Sequence, residues 1–121
     1  SHSGSAFSAL ANARRGLRLS WAISPGQELV VTAADCVRFL VQQPETRAIG
    51  LFLETVRDPQ GFAAALAAAA DRDIPVVALK VGDSGRGREL ALAHAGARAG
   101  SDAAFGAFGD RHGVHRARTL D

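Results

Sequence analysis

The sequence predicts an α/β domain built round a mostly parallel sheet, on three observations. Apolar runs of strand length alternate along the chain with segments of helical period, the pattern of βα units. One run, Ala48-Ile49-Gly50-Leu51-Phe52-Leu53, has no polar alternation, as a central strand covered on both faces requires. The 121 residues are 47% apolar and 21% charged, which suits one ordinary globular domain with a real core.

Taken in order, the elements begin with Ser1-His2-Ser3-Gly4-Ser5 and a helical stretch from Phe7 to Arg15. Leu19 to Ser24 is expected as the first strand present in the chain. Ala33, Cys36, Val37, Leu40 and Val41 then fall at i, i+3, i+4, i+7 and i+8, one apolar helix stripe. Ala48 to Leu53 is the next strand. Asp58-Pro59 starts a helix with a capping carboxylate and a proline at the first helical position. The Ala-rich helix behind it, including the run Ala63 to Ala70, is expected to reach Asp73, before Ile74-Pro75. Val76 to Val81 is the third strand. Ser101 caps a helix carrying Ala104, Phe105 and Phe108 that stops near Gly113, and Val114 to Arg118 is the last strand. No internal repeat or linker interrupts the pattern. The helix from Phe7 has no strand before it. In a right-handed α/β fold that strand sits in the middle of the sheet, and without it neighbouring ladders stay unpaired. Residues 1–121 are therefore expected to be one domain cut from a longer protein.

Composition narrows the functional classes. Fourteen basic residues against twelve acidic ones leave a net charge of +2. The cluster Arg14, Arg15 and Arg18 has no interleaved aromatics, so it reads as a solvated helix end rather than a nucleic-acid surface. A lone Cys36 excludes a disulfide framework and a cysteine zinc site, and its place on the apolar stripe predicts a buried, inert thiol. No apolar run approaches the ~18 residues of a membrane helix and no signal segment opens the chain, which makes the cytoplasm the default location.

Ligands of open α/β sheets gather at the carboxyl ends of the strands. There the sequence sets Ser3-Gly4-Ser5, Ser24-Pro25-Gly26-Gln27-Glu28, Glu54, and Lys80 with Gly82-Asp83-Ser84-Gly85-Arg86-Gly87, followed by the small-residue loop around His94. Ser3-Gly4-Ser5 at a helix N-terminus is either plain capping or an anion site. Glu54 ends an apolar strand, where it is either a carboxylate already in water or one held there for chemistry. His94, flanked by Ala and Gly, is either a loop histidine or a nucleophile whose second nitrogen a carboxylate would hold. His2, His112 and His115 supply no metal-ligand spacing, so no metal site is expected.

Several of these residues together resemble a known family. Ser3-Gly4-Ser5, Leu51-Phe52-Leu53-Glu54, the segment Pro75 to Gly82 with Ser84 and Gly87, and His94-Ala95-Gly96-Ala97 followed by Ala99-Gly100-Ser101-Asp102 are similar to the nucleoside-diphosphate-forming acyl-CoA synthetases. That group includes succinyl-CoA synthetase and the ADP-forming acetate-CoA ligases. The resemblance runs from Ser1 to the end of the chain and implies the succinyl-CoA-synthetase-like domain, a flavodoxin-like three-layer sandwich whose first strand is missing here. It implies that a carboxylic acid, CoA and NTP become acyl-CoA, NDP and phosphate through an acyl phosphate and a phosphohistidine. His94 matches the phosphorylated histidine, Glu54 the glutamate that holds its ring, and Ser3, Gly4 and Ser5 the helix N-terminus that receives the phosphoryl group. It further implies CoA and ATP/ADP with Mg in the full-length enzyme, none held tightly by this chain. The implied partners are a CoA-binding Rossmann domain, an ATP-grasp domain or subunit and a small carboxylic acid, and the resemblance is compatible with a homo-oligomer. Three positions depart from the pattern: His2 where relatives often carry Gln or Arg, Asp83 where many have Arg, and Pro25-Gly26-Gln27-Glu28 in place of Gly-Asn. Asp83 weakens the positive field expected near a phosphate.

The competing reading is a ligand-sensing regulatory domain of the same fold fused to an acetyltransferase. Retention of both His94 and Glu54 favours the ligase, because a sensor has no need of the pair. A flavin carrier or phosphoaspartate receiver lacks support: the flavin-sandwiching aromatics and the acidic pair after a first strand are missing.

Overall fold

The computed structural model describes Ser8, Asn12, Gly16 and residues 18–81 and 102–119. Along them run α1 (Ala33–Gln42), β1 (Ile49–Leu53), α2 (Pro59–Asp71), β2 (Val76–Lys80), α3 (Asp102–His112) and β3 (His115–Ala117). The strands form one sheet in the order β1-β2-β3, and both pairings are parallel. Parallel neighbours need a crossover, and α2 supplies the one between β1 and β2.

Each helix starts and stops for a local reason. Thr32 caps α1 reciprocally: its hydroxyl accepts from the Asp35 N–H, while the Asp35 carboxylate accepts from the Thr32 N–H at 2.9 Å. Asp58 caps α2 by accepting the Gly61 N–H at 2.9 Å, with Pro59 at the first helical position. A Cβ on Gly61 would lie 2.0 Å from Asp58 Oδ2, so the cap needs glycine there. At the other end of α2 the chain turns through Asp73, with φ at +53°, and the Ile74 N–H returns to the Ala69 carbonyl at 2.9 Å. The Arg72 guanidinium donates to the Val41 carbonyl and so ties the ends of α1 and α2 together. Gly113, at φ +68°, ends α3 in the left-handed conformation that a helix C-terminus favours.

The three helices share one core with one face of the sheet. Side chains alternate across a strand, so Ile49, Leu51 and Leu53 lie on the same face as Val76 and Ala78, as the register Ile49↔Val76 and Leu51↔Ala78 shows. Against that face pack Val37 and Val41 of α1, Phe62, Ala65, Leu66 and Ala69 of α2, and Phe105 of α3. The alanines let α2 approach closely. Phe62 is fully buried and stacks on Phe108 at 5.9 Å between ring centroids. Arg116 lies over the Phe105 ring and closes this core at β3.

The other face, with Gly50, Phe52, Val77, Leu79 and Ala117, is less covered, and Val77 is 40% exposed. The described residues thus form two of the three expected layers. The predicted helix Phe7 to Arg15 lies outside them apart from Ser8 and Asn12, whose backbone N–H donates to the Ser8 carbonyl at 3.0 Å. Most observed boundaries fall within two residues of those expected. The strand expected at Leu19 to Ser24 is a correction: these residues carry the alternation but form no ladder, and Leu19, Trp21 and Ile23 are 52%, 43% and 41% exposed. A strand exists only when paired, and among the described residues nothing pairs with this one. The expectation that β1 is covered on both faces is corrected likewise, since Gly50 is exposed and Phe52 only half-buried.

Candidate functional site

Glu54 stands where the strand-end argument puts it. β1 stays in the ladder to its last residue, where the Leu53 carbonyl accepts the Val81 N–H at 2.8 Å. The chain bends at the next position, so Glu54 occupies the carboxyl edge of the sheet and is half-buried. Two anchors fix its loop. The ladder holds one end, the Asp58 cap of α2 holds the other, and Val56 packs on the core between them. A carboxylate on such a short, anchored loop loses little freedom when it binds a ligand.

Lys80 closes β2 at the same edge, in register with Leu53, and is only 8% exposed. The edge therefore carries a carboxylate and a mostly buried ammonium on adjacent parallel strands. A carboxylate suits the N–H of an imidazole, and an ammonium suits an anion. Among the described residues no three His, Cys, Asp or Glu side chains converge as a metal site would need. His94 and Ser3, Gly4 and Ser5, as well as Asp83, lie outside the described residues.

Glu28, expected only as part of an edge segment, has a definite task. It is 8% exposed, sits at φ +55°, and its Oε2 accepts the Ala33 N–H at 2.8 Å. The carboxylate thus serves the N-terminus of α1, where the helix dipole favours negative charge. The signal in the sequence was a carboxylate a few residues before a helix start. Gly26, at φ +68°, makes the turn that brings it there.

Cys36 is half-buried rather than buried. Partial burial, with the negative charges of Glu28 and Asp35 nearby, pushes its thiol pKa up, which disfavours the reactive thiolate. His112 is half-buried against Phe108, with ring centroids 4.4 Å apart, and His115 is exposed. Neither lies at the carboxyl edge.

The whole chain, residues 1–121, matches the model of the succinyl-CoA ligase like flavodoxin domain. The chain belongs to this family. It is 37% identical over 123 residues to a trans-feruloyl-CoA synthase from an unknown prokaryotic organism, covering all of this chain and 17% of that protein. It is 34% identical over 102 residues to the α subunit of ADP-forming acetate–CoA ligase I of Pyrococcus furiosus, covering 84% of this chain and 22% of the subunit. An ADP-forming 4-hydroxybutyrate–CoA ligase of Nitrosopumilus maritimus is 30% identical over 108 residues, covering 88% of this chain and 16% of the ligase. The chain thus spans about a fifth of the length of these relatives. The succinyl-CoA-ligase-like domain is a flavodoxin-like α/β domain, and the parallel sheet with its helices agrees with that fold.

Proposed function

We propose that this chain is the phosphohistidine-bearing domain of an ADP-forming acid–thiol ligase, part of a larger cytoplasmic protein that also includes, or assembles with, CoA-binding and nucleotide-binding units. The observation that carries the reading is the full-chain family match together with Glu54 at the carboxyl end of β1. The relatives' names join three different acids to CoA, so the reading stops at the class of carboxylic acids.

In this reading the His94 imidazole takes the terminal phosphoryl group of a nucleoside triphosphate, forming a P–N bond as the P–O bond to the diphosphate breaks. Glu54 accepts the hydrogen bond of the other ring N–H, which sets the tautomer and stabilises the charged ring. His94 then gives the phosphoryl group to the carboxylate substrate and regains a neutral imidazole. The thiolate of CoA displaces phosphate from the acyl phosphate, giving the thioester. Ser3, Gly4 and Ser5 would receive the phosphoryl oxygens at a helix N-terminus. The donor set described at the sheet edge, one carboxylate and one ammonium, fits an imidazole and an anion. Nucleotide, magnesium and CoA are assigned to the other units, where they supply the phosphoryl donor and the thiol acceptor.

The test uses the full-length protein incubated with Mg-ATP. An acid-labile, base-stable phosphoryl label is expected, and His94→Ala should abolish it. A label that survives the substitution would overturn the reading, as would the lack of any label in a wild-type protein that still binds CoA, which is the outcome a sensor would give.

A further inference from the structure

Lys80 is the single lysine of the chain, against thirteen arginines, and among the described residues it is the one buried cation. Its place is fixed by the backbone. Leu53 and Lys80 are partners in the ladder, and the N–H of Val81, the next residue, donates to the Leu53 carbonyl at 2.8 Å. Side chains alternate along a strand, so Lys80 shares the helix-packed face with Val76 and Ala78, both buried. Its methylene stem therefore covers the top of that core, as long cationic side chains do, and its charge is left at the carboxyl edge.

Among the described residues this edge carries an excess of positive charge. Leu79 pairs with Ala117, and the next residues are Lys80 and Arg118, so β2 and β3 both leave the sheet on a cation. Arg57 adds a third on the loop between β1 and α2. Against them on that loop stand Glu54 and Asp58, and Asp58 is engaged in capping α2 through the Gly61 N–H. Like charges on neighbouring strands disfavour each other, and an anion seated beside them removes that cost. Arg57 and Arg118 are exposed, where water and salt screen them, whereas Lys80 is not. A buried ammonium acts in a medium that screens little. Its compact head and three N–H donors suit the oxygens of a phosphoryl group.

We propose that Lys80 binds the phosphoryl group carried at this edge, its ammonium donating to non-bridging phosphoryl oxygens while Glu54 supports the imidazole. Lys80 keeps its proton and forms no bond to phosphorus. It offsets negative charge as the group arrives from the nucleotide and as it leaves for the carboxylate. The proposal rests on the phosphohistidine reading and adds a cationic contact to those expected of Ser3, Gly4 and Ser5. The same chemistry recognises inorganic phosphate.

Binding of inorganic phosphate to the full-length protein, measured by calorimetry in wild type, Lys80→Met and Lys80→Arg, tests it. Methionine keeps the apolar stem and removes the charge. Phosphate affinity should fall at least about tenfold in Lys80→Met, as for loss of a charge-assisted hydrogen bond, and recover in part in Lys80→Arg. The affinities for CoA and for acetate, a carboxylate probe, should not fall with it. Equal phosphate affinity in wild type and Lys80→Met would overturn the proposal. So would a loss shared with CoA, which marks a structural role, or a loss confined to acetate, which marks a site for the carboxylic acid. If Lys80→Met does not fold, wild type decides: phosphate, against chloride at equal ionic strength, should slow reductive methylation of Lys80 severalfold, and an unchanged rate overturns the proposal. Failure of the ligase reading looks different, as wild type then carries no phosphoryl label on His94, and the phosphate affinities still report on Lys80.

Discussion

On its β2 side, β1 is paired along all five residues, and its helix-facing Ile49 and Leu53 are 2% and 3% exposed. On the opposite side it borders a cleft, and on the opposite face Gly50 is exposed, beside Val77 in register. One short strand thus meets two environments. The residues are apolar throughout, so composition alone does not separate the two sides; the partners do. Where helices and a neighbouring strand are present, the apolar run is a core. Where the described residues supply neither, the same run is an apolar surface.

The largest effect that would break this contrast is a change in the helix-packed core. Phe62→Ala should destabilise the domain by about 3–5 kcal/mol in denaturant unfolding, because a fully buried ring leaves a cavity between α2, α3 and the sheet. Val77→Ala on the opposite face should cost about 0.5 kcal/mol, as for a side chain near the surface. Equal costs at the two positions would mean that the two faces do not differ as described.

A smaller effect is expected at the start of α1, which walls the cleft. Thr32→Ala removes the hydroxyl of the capping box and should cost about 1 kcal/mol by the same measurement. The Asp35 half of the box reports through pH. Its carboxyl is lowered to about 2 from an ordinary 3.8, chiefly by the Thr32 backbone N–H and then by Arg38. A lowered carboxyl stabilises the fold above its unfolded pKa and loses that contribution as pH falls from there toward 2. Melting temperatures between pH 6 and pH 2 should therefore fall less steeply in Asp35→Asn than in wild type. The difference should be small and shrink further with added salt, because the carboxyl is exposed.

Much of this contrast was legible in the residues. The period of Ala33 to Val41, the Asp58-Pro59 start and the apolar run ending at Leu53 all became the elements expected, because each depends on neighbours in sequence. Glu54 was found by the same logic, as the first polar residue after an apolar strand. Leu19 to Ser24 shows where such reading ends. Its alternation is that of a strand, but a ladder needs a second strand, and periodicity carries no information about whether one is present. Glu28 shows a different limit. Its burial and its bond to Ala33 depend on a left-handed turn at Gly26 and at Glu28 itself, which charge and hydropathy do not announce.

In the proposed reaction Glu54, at the carboxyl edge of β1, supports a phosphoryl group carried by His94. The most direct test of this role is peptide mapping by mass spectrometry of the full-length protein after a brief incubation with Mg-ATP, comparing wild type with Glu54→Gln. One phosphoryl group is expected on the peptide that contains His94, with its rate of appearance at least about tenfold lower in the variant, since a neutral amide supports an imidazolium poorly. Phosphorylation of another residue, or an equal rate at His94 in both proteins, would contradict it.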